Sequence, residues 1–454
     1  MSWLNRHHSR RATLATATGL IAGATAPFTS ATRAAAATPT TARPRSTATA
    51  SYTNPVIWQD FADIDIIRVR DTYYASASSM HYSPGAPVLR SYDLVNWEFA
   101  GHSVPTLDFG SKYDLNGARG YVRGIWASSL NYRPSNKTFY WLGQIDFAKT
   151  YIYTATSVEG RWSRLTTINN AYYDAGLLID DDDTMYVSYG NTTISVAQLS
   201  PDGRSQVRAQ QVFSTPSSVG TLEGSRFYKI NGNYYIFLTR PANGQYILKS
   251  TSGPLGPYTM RQALLDLRGP VSGGGVPHQG GLVQTQNGAW HYMAFVDAYP
   301  GGRVPVLAPI TWTSDGWPVV QLVNGAWGTS YPNPAVPLPS PQVTPLTVVD
   351  TFDGTALKPK WEWNHNPDNS KWSVNNGLTL RTATVTGDLY RPDAARPGTF
   401  SYSTDGTNFI RLGPQFTMGN DWRFFMGYRY AIFNYATQAL GGAVLVTRFE
   451  LATP

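Results

Sequence analysis

NPVIWQDFADIDIIRVRDTYYASASSMHYSPG, residues 54–85, sets two aspartates inside an apolar, β-type run. Asp63 and Asp65 alternate there with Ile64, Ile66, Ile67 and Val69. Aspartate is depleted in strands because it competes for backbone hydrogen bonds and is costly to desolvate. One reading is a strand end or bulge, where the carboxylates cap backbone N–H groups. The other is a carboxylate placed for chemistry. The same stretch contains a turn residue followed by an aromatic strand, DTYYASAS from Asp71, and this pattern recurs. It returns as KTFYWLGQ from Lys137, DTMYVSYG from Asp183, GNYYIFLT from Gly232 and GAWHYMAF from Gly288. Five copies at intervals of roughly 50 residues, each followed by further short strands, predict a five-bladed β-propeller over residues 54–331. A β-sandwich or β-helix gives no reason for five similar hairpins at this period.

The composition agrees with an all-β chain. Its 41 Gly and 31 Pro make corners, while 28 Tyr, 14 Trp and 18 Phe fill strands. At 454 residues there is room for two or three domains. The chain has no cysteine, so neither disulfides nor thiolate metal sites enter. Arg10 and Arg11, the mildly apolar stretch 12–28 and the small residues Ala34–Ala37 read as a twin-arginine-like signal peptide over residues 1–37. A secreted, extracellular protein is therefore expected. Residues 38–53, rich in Thr, Ala and Pro, form a flexible linker. Removing the four arginines of the signal takes the formal charge from +7 to +3 and leaves no basic cluster of the nucleic-acid type. No apolar run reaches transmembrane length, so no membrane partner is expected. PNPAVPLPSPQVTP, residues 332–345, is a proline-rich, semi-rigid linker. Short strands with Trp, Tyr and Gly over residues 346–454 suggest a β-sandwich.

Two more carboxylates sit out of place. Asp174 lies between the pair Tyr172–Tyr173 and the apolar run Leu177–Ile179. Glu223 heads a strongly β-type segment and is followed at once by Gly224, which allows another group to approach the backbone. Each alone reads as a strand-end charge. Entering three different blades, Asp63, Asp174 and Glu223 can converge on the central channel, where neighbouring acids push their pKa values apart. One protonated and one ionised carboxylate are what glycoside hydrolysis requires. The acid run Asp180–Asp183 reads instead as a solvated hairpin turn. It lacks the Gly and distal Glu of a calcium loop, so no cofactor is required and a channel-bound calcium has no motif behind it.

The segments NPV…FADIDIIRVRDTYY, SSMHYSPGAPVLRSYDLVNW, GIWASSLNY, YYDAGLLIDDDDTMYVSYG, EGSRFYKINGNYYIF, HQGGLVQTQNGAWHY and GGRVPVLAPITWTSDGWP resemble, in order, the motifs of glycoside hydrolase family 43. YYDAGLLIDDDDTMY, VAQLSPDGRSQVRAQQ, AFVDAYPGGRVPV and WNHNPDNSKW are most similar to arabinoxylan α-L-arabinofuranosidases acting on doubly substituted xylose. In many relatives the first motif reads PDP where this chain has Ala62-Asp63-Ile64. The resemblance implies an inverting glycosidase with Asp63 as general base, Glu223 as general acid and Asp174 tuning and orienting that acid. It implies substrate contacts for Trp126, His278 and Arg303. Their plainer readings are packing or surface residues, and for His278 a core histidine bonded to backbone. Tyr173, Met80 and Tyr82 are further candidates for subsite walls. The substrate implied is arabinoxylan or arabinosylated xylo-oligosaccharides, handled by a monomer. A β-xylosidase or arabinan-active hydrolase is the alternative within the family. A carbohydrate-binding propeller is the non-enzyme alternative, but it has no need of three channel-facing acids.

The C-terminal part resembles the family's accessory sandwich only at its two ends, WEWNHNPDNSKWSV with LRTATVTGDL and FSYSTDGTNFIRLG with FMGYRYAIFNYAT. Between Tyr390 and Phe400 the family's middle strands are missing, so this sandwich looks truncated. Trp361, Trp363 and Trp372 on one side, and Phe424, Phe425 and Phe433 on the other, would lack part of the core they suit. Unpaired edges and apolar faces follow. The segment is expected to be less ordered than the propeller or to lean on it.

Overall fold

The structure is a computed structural model that describes residues 50–337, 341–347, 349–384, 396–418, 426–436 and 439–450. The proposed signal, most of the linker after it, Phe424, Phe425 and the Tyr390 side of the truncation lie outside the described residues.

The chain from Asp65 to Val320 forms five four-stranded antiparallel sheets in sequence order. Their first strands are Asp65–Val69, Ile125–Arg133, Gly176–Ile179, Glu223–Ile230 and His278–Gln284. These five lie beside one another in cyclic order, each neighbouring the next and the fifth neighbouring the first. Every quoted hairpin copy is the turn and second strand of one sheet: Thr72–Ser76, Thr138–Ile145, Met185–Asn191, Asn233–Arg240 and Trp290–Asp297. The reason is local. A turn residue with φ > 0 lets the strand reverse, and Asp183 (φ 70), Lys137 (φ 55) and Gly232 (φ 78) supply it. The strand that follows is buried on both faces, Asn233–Arg240 and Trp290–Asp297 along all but their end residues.

The largest apolar core joins the first, fourth and fifth sheets through Ile66, Tyr73, Phe237, Met293 and Leu307. Burying each such side chain contributes ~1.5–3 kcal/mol. Ser51–Thr53 pairs antiparallel with Ser330–Pro332. Asn54 Nδ2 donates to Leu307 O and Gly328 O, at 2.9 and 3.0 Å, and ties the same two ends.

After residue 346 the described strands are a three-stranded sheet (Trp372–Val374, Leu378–Arg381, Ala443–Val446), a parallel pair (Ala383–Thr384 with Tyr435–Ala436) and a hairpin (Arg396–Tyr402 with Ile410–Met418). Phe352, Val374, Leu378 and Leu380 form their core. Phe409, Ile410, Leu412 and Leu445 stay exposed. This segment does lean on the sheets before it. Trp363–Asn364 pairs with Tyr82–Ser83, and His365 N donates to His81 O at 3.0 Å.

Candidate active site

Each first strand begins with a residue singled out in the sequence. Asp63 precedes the first strand by two residues, Trp126 is second in its strand, and Asp174 again precedes by two. Glu223 and His278 open theirs. The backbone is irregular at this end of all five sheets. Asp63 (φ 55) and Asp174 (φ 48) are left-handed, and the pairing slips between Ile125 and Ser128, Glu223 and Arg226, and His278 and Gly281. Such bulges terminate pairing and re-aim side chains. Gly224 (φ 69) is part of one, and a Cβ there would fall 2.9 Å from the Gln279 side chain. Asp63 thus sits on the bend that feeds the strand, the strand-end placement that its sequence allowed.

Asp63 is buried and held on both oxygens. Ser78 Oγ donates to Oδ2 at 2.6 Å and Arg303 Nη1 to Oδ1 at 3.1 Å. Its carbonyl accepts Arg226 Nη2 at 2.5 Å. Arg303 also donates through Nε to Asp297 Oδ1 at 3.0 Å, and its guanidinium lies 4.7 Å from the Phe295 ring centroid. Asp65, the other acid of the pair, is structural. It accepts Ser129 Oγ at 2.8 Å and Leu130 N at 3.0 Å, with Arg226 Nε 3.3 Å away.

Glu223 Oε2 accepts Asn191 Nδ2 at 2.7 Å and Tyr173 O–H at 3.1 Å. Burial pushes the Glu223 carboxyl up, and the negative charge of Asp63 adds to it. Asp174 is raised further, by burial first and then by Glu223 and Asp63. Tyr173 is driven the same way by burial, Asp174 and Glu223, which keeps its hydroxyl a donor. The three acids therefore share one electrostatic site. Asp63, ion-paired, can serve as a base; Glu223 is biased to keep its proton.

Asp174→Asn should separate stability from function. The folded protein keeps Asp174 protonated to higher pH than the unfolded chain does. Its contribution is therefore fully present below the ordinary carboxylate range and is lost as pH rises through the folded value. Asparagine can still accept the Gly224 N–H. Thermal melts should show the variant more stable than the parent at neutral pH and no more stable in acid, while hydrolysis falls.

His278 is buried, with Nδ1 3.0 Å from Thr239 Oγ1 and its ring 4.5 Å from Phe295. Nε2 makes no hydrogen bond among the described residues and lies 4.0 Å from Asp297 Oδ2. Burial lowers its pKa, so it is neutral. A calcium ion needs six to eight oxygen ligands. The carboxylates that act on His278 are Asp297 and Asp63, both engaged by the Arg303 guanidinium, and no group of three or more acid or histidine ligands occurs among the described residues. These residues do not fit a protein-built calcium cage.

Trp126 and Tyr173 flank Phe147, at ring distances of 5.4 and 6.0 Å, the second pair stacked. Phe147, 43% exposed, forms the rim of an aromatic wall beside Glu223. Met80, expected on a subsite wall, is wholly buried against Ala62 and Met426, so it supports the wall from behind. Tyr82 is half-buried and covered by the Arg429 guanidinium, 4.4 Å from its ring centroid. The run Asp180–Asp183 is a turn, but not simply a solvated one. Asp183 Oδ1 accepts Arg133 Nε at 2.9 Å, and Asp180 Oδ1 accepts Lys229 Nζ at 2.6 Å.

Ser78, Asn191, Asp297 and Phe147 were not singled out in the sequence. An acid at the end of the second strand of the fifth sheet, mirrored across the pairing by Arg303, was the available signal for Asp297.

Known proteins resemble the chain over most of its length. The chain is 30% identical over 364 residues to a β-xylosidase of Formosa agariphila, covering 71% of this chain and 60% of that protein. It is 28% identical over 406 residues to the non-reducing end α-L-arabinofuranosidase BoGH43B of Bacteroides ovatus, covering 86% and 70%. A solved structure from the engineering of a family 43 glycoside hydrolase with both endo-xylanase and exo-arabinofuranosidase activity superposes with a TM-score of 0.83 at 40% identity, covering 88% of this chain and 99% of that one. Residues 52–318 match the model of glycosyl hydrolases family 43, and the chain belongs to that family.

Proposed function

We propose that the chain is a secreted, exo-acting α-L-arabinofuranosidase that removes arabinofuranosyl side chains from arabinoxylan with inversion. Asp63 acts as general base on a water, Glu223 protonates the leaving oxygen, and Asp174 tunes and orients that acid. Trp126, Tyr173 and Arg303 contact the sugar, while His278, expected to do so, is buried and packs behind them. The five sheets are the blades of a propeller with the site at its channel mouth, residues 332–345 link it to a truncated β-sandwich, and the protein works as a monomer.

The observation that carries the reading is the contrast between a buried Asp63 ion-paired to Arg303 and a Glu223 raised by burial and by Asp63. An inverting pair separates base from acid by ~6.5–9.5 Å to admit water. The arabinofuranosidase choice is supported by the 40% identical structure. A β-xylosidase is the second reading, because the Formosa agariphila relative and several others carry that name.

Singly and doubly arabinosylated xylo-oligosaccharides, set beside xylobiose, distinguish the two. Arabinose release with an inverted anomer in the first NMR spectra is the expected result. Xylose release from xylobiose without arabinose release would favour the second reading.

A further inference from the structure

The C-terminal segment meets the catalytic region at Gly427. A Cβ on Gly427 would fall 2.3 Å from Gly301 O. One on Gly302 (φ 93) would fall 2.3 Å from Asp60 Oδ1 and 2.5 Å from Gly427 N. Only two glycines let these backbones touch, and Tyr428 N donates to Pro300 O at 2.9 Å beside them. Asp60 is buried in this contact. Its Oδ1 accepts Arg303 N at 2.8 Å, and its carboxylate also takes the Gly427 N–H. Its Oδ2 is buried and makes no hydrogen bond among the described residues. It faces Arg429 Nη2 at 3.9 Å.

Arg429 is paired through Nη1 with Glu362 Oε2, and Glu362 Oε1 lies 3.1 Å from His102 Nε2. A buried carboxylate is costly unless a counter-charge is held near it. Here the counter-charge for Asp60 comes from a different part of the chain, and the residue that Asp60 holds is the arginine bound to Asp63.

We propose that Arg429 is a positioning residue: it fixes Asp60, Asp60 fixes the backbone at Arg303, and the Arg303 guanidinium then aims Asp63. This rests on Asp63 being the general base. The C-terminal segment is on this view a part of the active site that never touches substrate. The groups facing Asp60 are Arg429, Arg303, Tyr82 and Tyr299, with Glu362 behind Arg429. Burial pushes Asp60 up to about 6 against the two arginines. Without Arg429 it would protonate at higher pH and loosen its hold on Arg303.

The test uses the full chain with 4-nitrophenyl α-L-arabinofuranoside and 4-nitrophenyl β-D-xyloside, following kcat and KM against pH. Arg429→Met should lower kcat by ~10-fold or more, since small misplacements of catalytic groups cost that much, with the acidic limb displaced to higher pH. Arg429→Lys, which keeps the charge, should recover most of the loss. Adding Asp60→Asn to Arg429→Met should remove the displacement. If Arg429→Met does not fold, Asp60→Asn alone carries the test. It keeps an acceptor oxygen and deletes the titrating group, so the acidic limb should become shallower by one proton. A folded Arg429→Met with parental kcat and acidic limb, or an Asp60→Asn with an unchanged limb, overturns the proposal. Asp63→Asn run alongside separates the two failures. Retained activity there would overturn both readings, whereas an inactive Asp63→Asn with an indifferent Arg429→Met sinks the positioning role alone.

Discussion

Asp63→Asn is expected to reduce glycoside hydrolysis, on the proposed reading arabinose release from arabinosylated xylo-oligosaccharides, by ~10²–10⁴-fold, the usual worth of a positioned proton acceptor, with no loss of fold. The side chain keeps its size. Its amide oxygen can still accept either Ser78 Oγ or Arg303 Nη1, and Arg303 keeps Asp297 as its second carboxylate partner. What disappears is the charge and the capacity to take a proton from water. Circular dichroism and melting temperature should match the parent. A variant that retains more than about a tenth of parental kcat, against the range above, would show that Asp63 is not the base.

Glu223→Gln should be equally damaging on natural linkages but far less so on aryl glycosides. A sugar alkoxide leaves poorly without a proton, whereas a nitrophenolate leaves unaided, so only the first needs the acid. Because burial and Asp63 raise the Glu223 pKa, the parent holds its proton as pH rises and loses activity only as pH passes through that raised value. The glutamine variant should lose that alkaline limb. Equal losses on both substrate classes, with the limb intact, would assign the acid elsewhere.

The legible parts of the chain were those where a local pattern has one physical meaning. The five turn-plus-aromatic copies became the second strands of five sheets because hairpin geometry is decided within a few residues. Asp63, Asp174 and Glu223 stood out because a carboxylate in an apolar run is costly and needs a cause. Their partners stood out less. Asn191 and Ser78 look like ordinary hairpin-end polar residues, and Arg303 and Tyr173 were marked by the family resemblance as sugar contacts, not as partners of the acids, since Arg303 reaches Asp63 across 240 positions of sequence. Met80 misled for a similar reason. What buries it includes Met426, a residue no local pattern connects to it. Asp60 carries no local signal of its role, since only the Gly302 and Gly427 contact makes it unusual.

Ser51–Thr53 and Ser330–Pro332 make a ladder only three residues long, reinforced by Tyr52 O–H to Leu307 O at 3.0 Å and by the Asn54 amide. The first of these strands comes just before the sheets begin and is the clasp for their last one. Any protease that trims the N-terminus therefore works against a hard stop. A cut before Ser51 leaves the clasp whole, whereas a cut a few residues later frees the edge at Tyr331 and removes the ring that packs 6.0 Å from it. Chains that begin before Ser51 and chains that begin a few residues after it would therefore differ in lifetime though they share every residue of the five sheets.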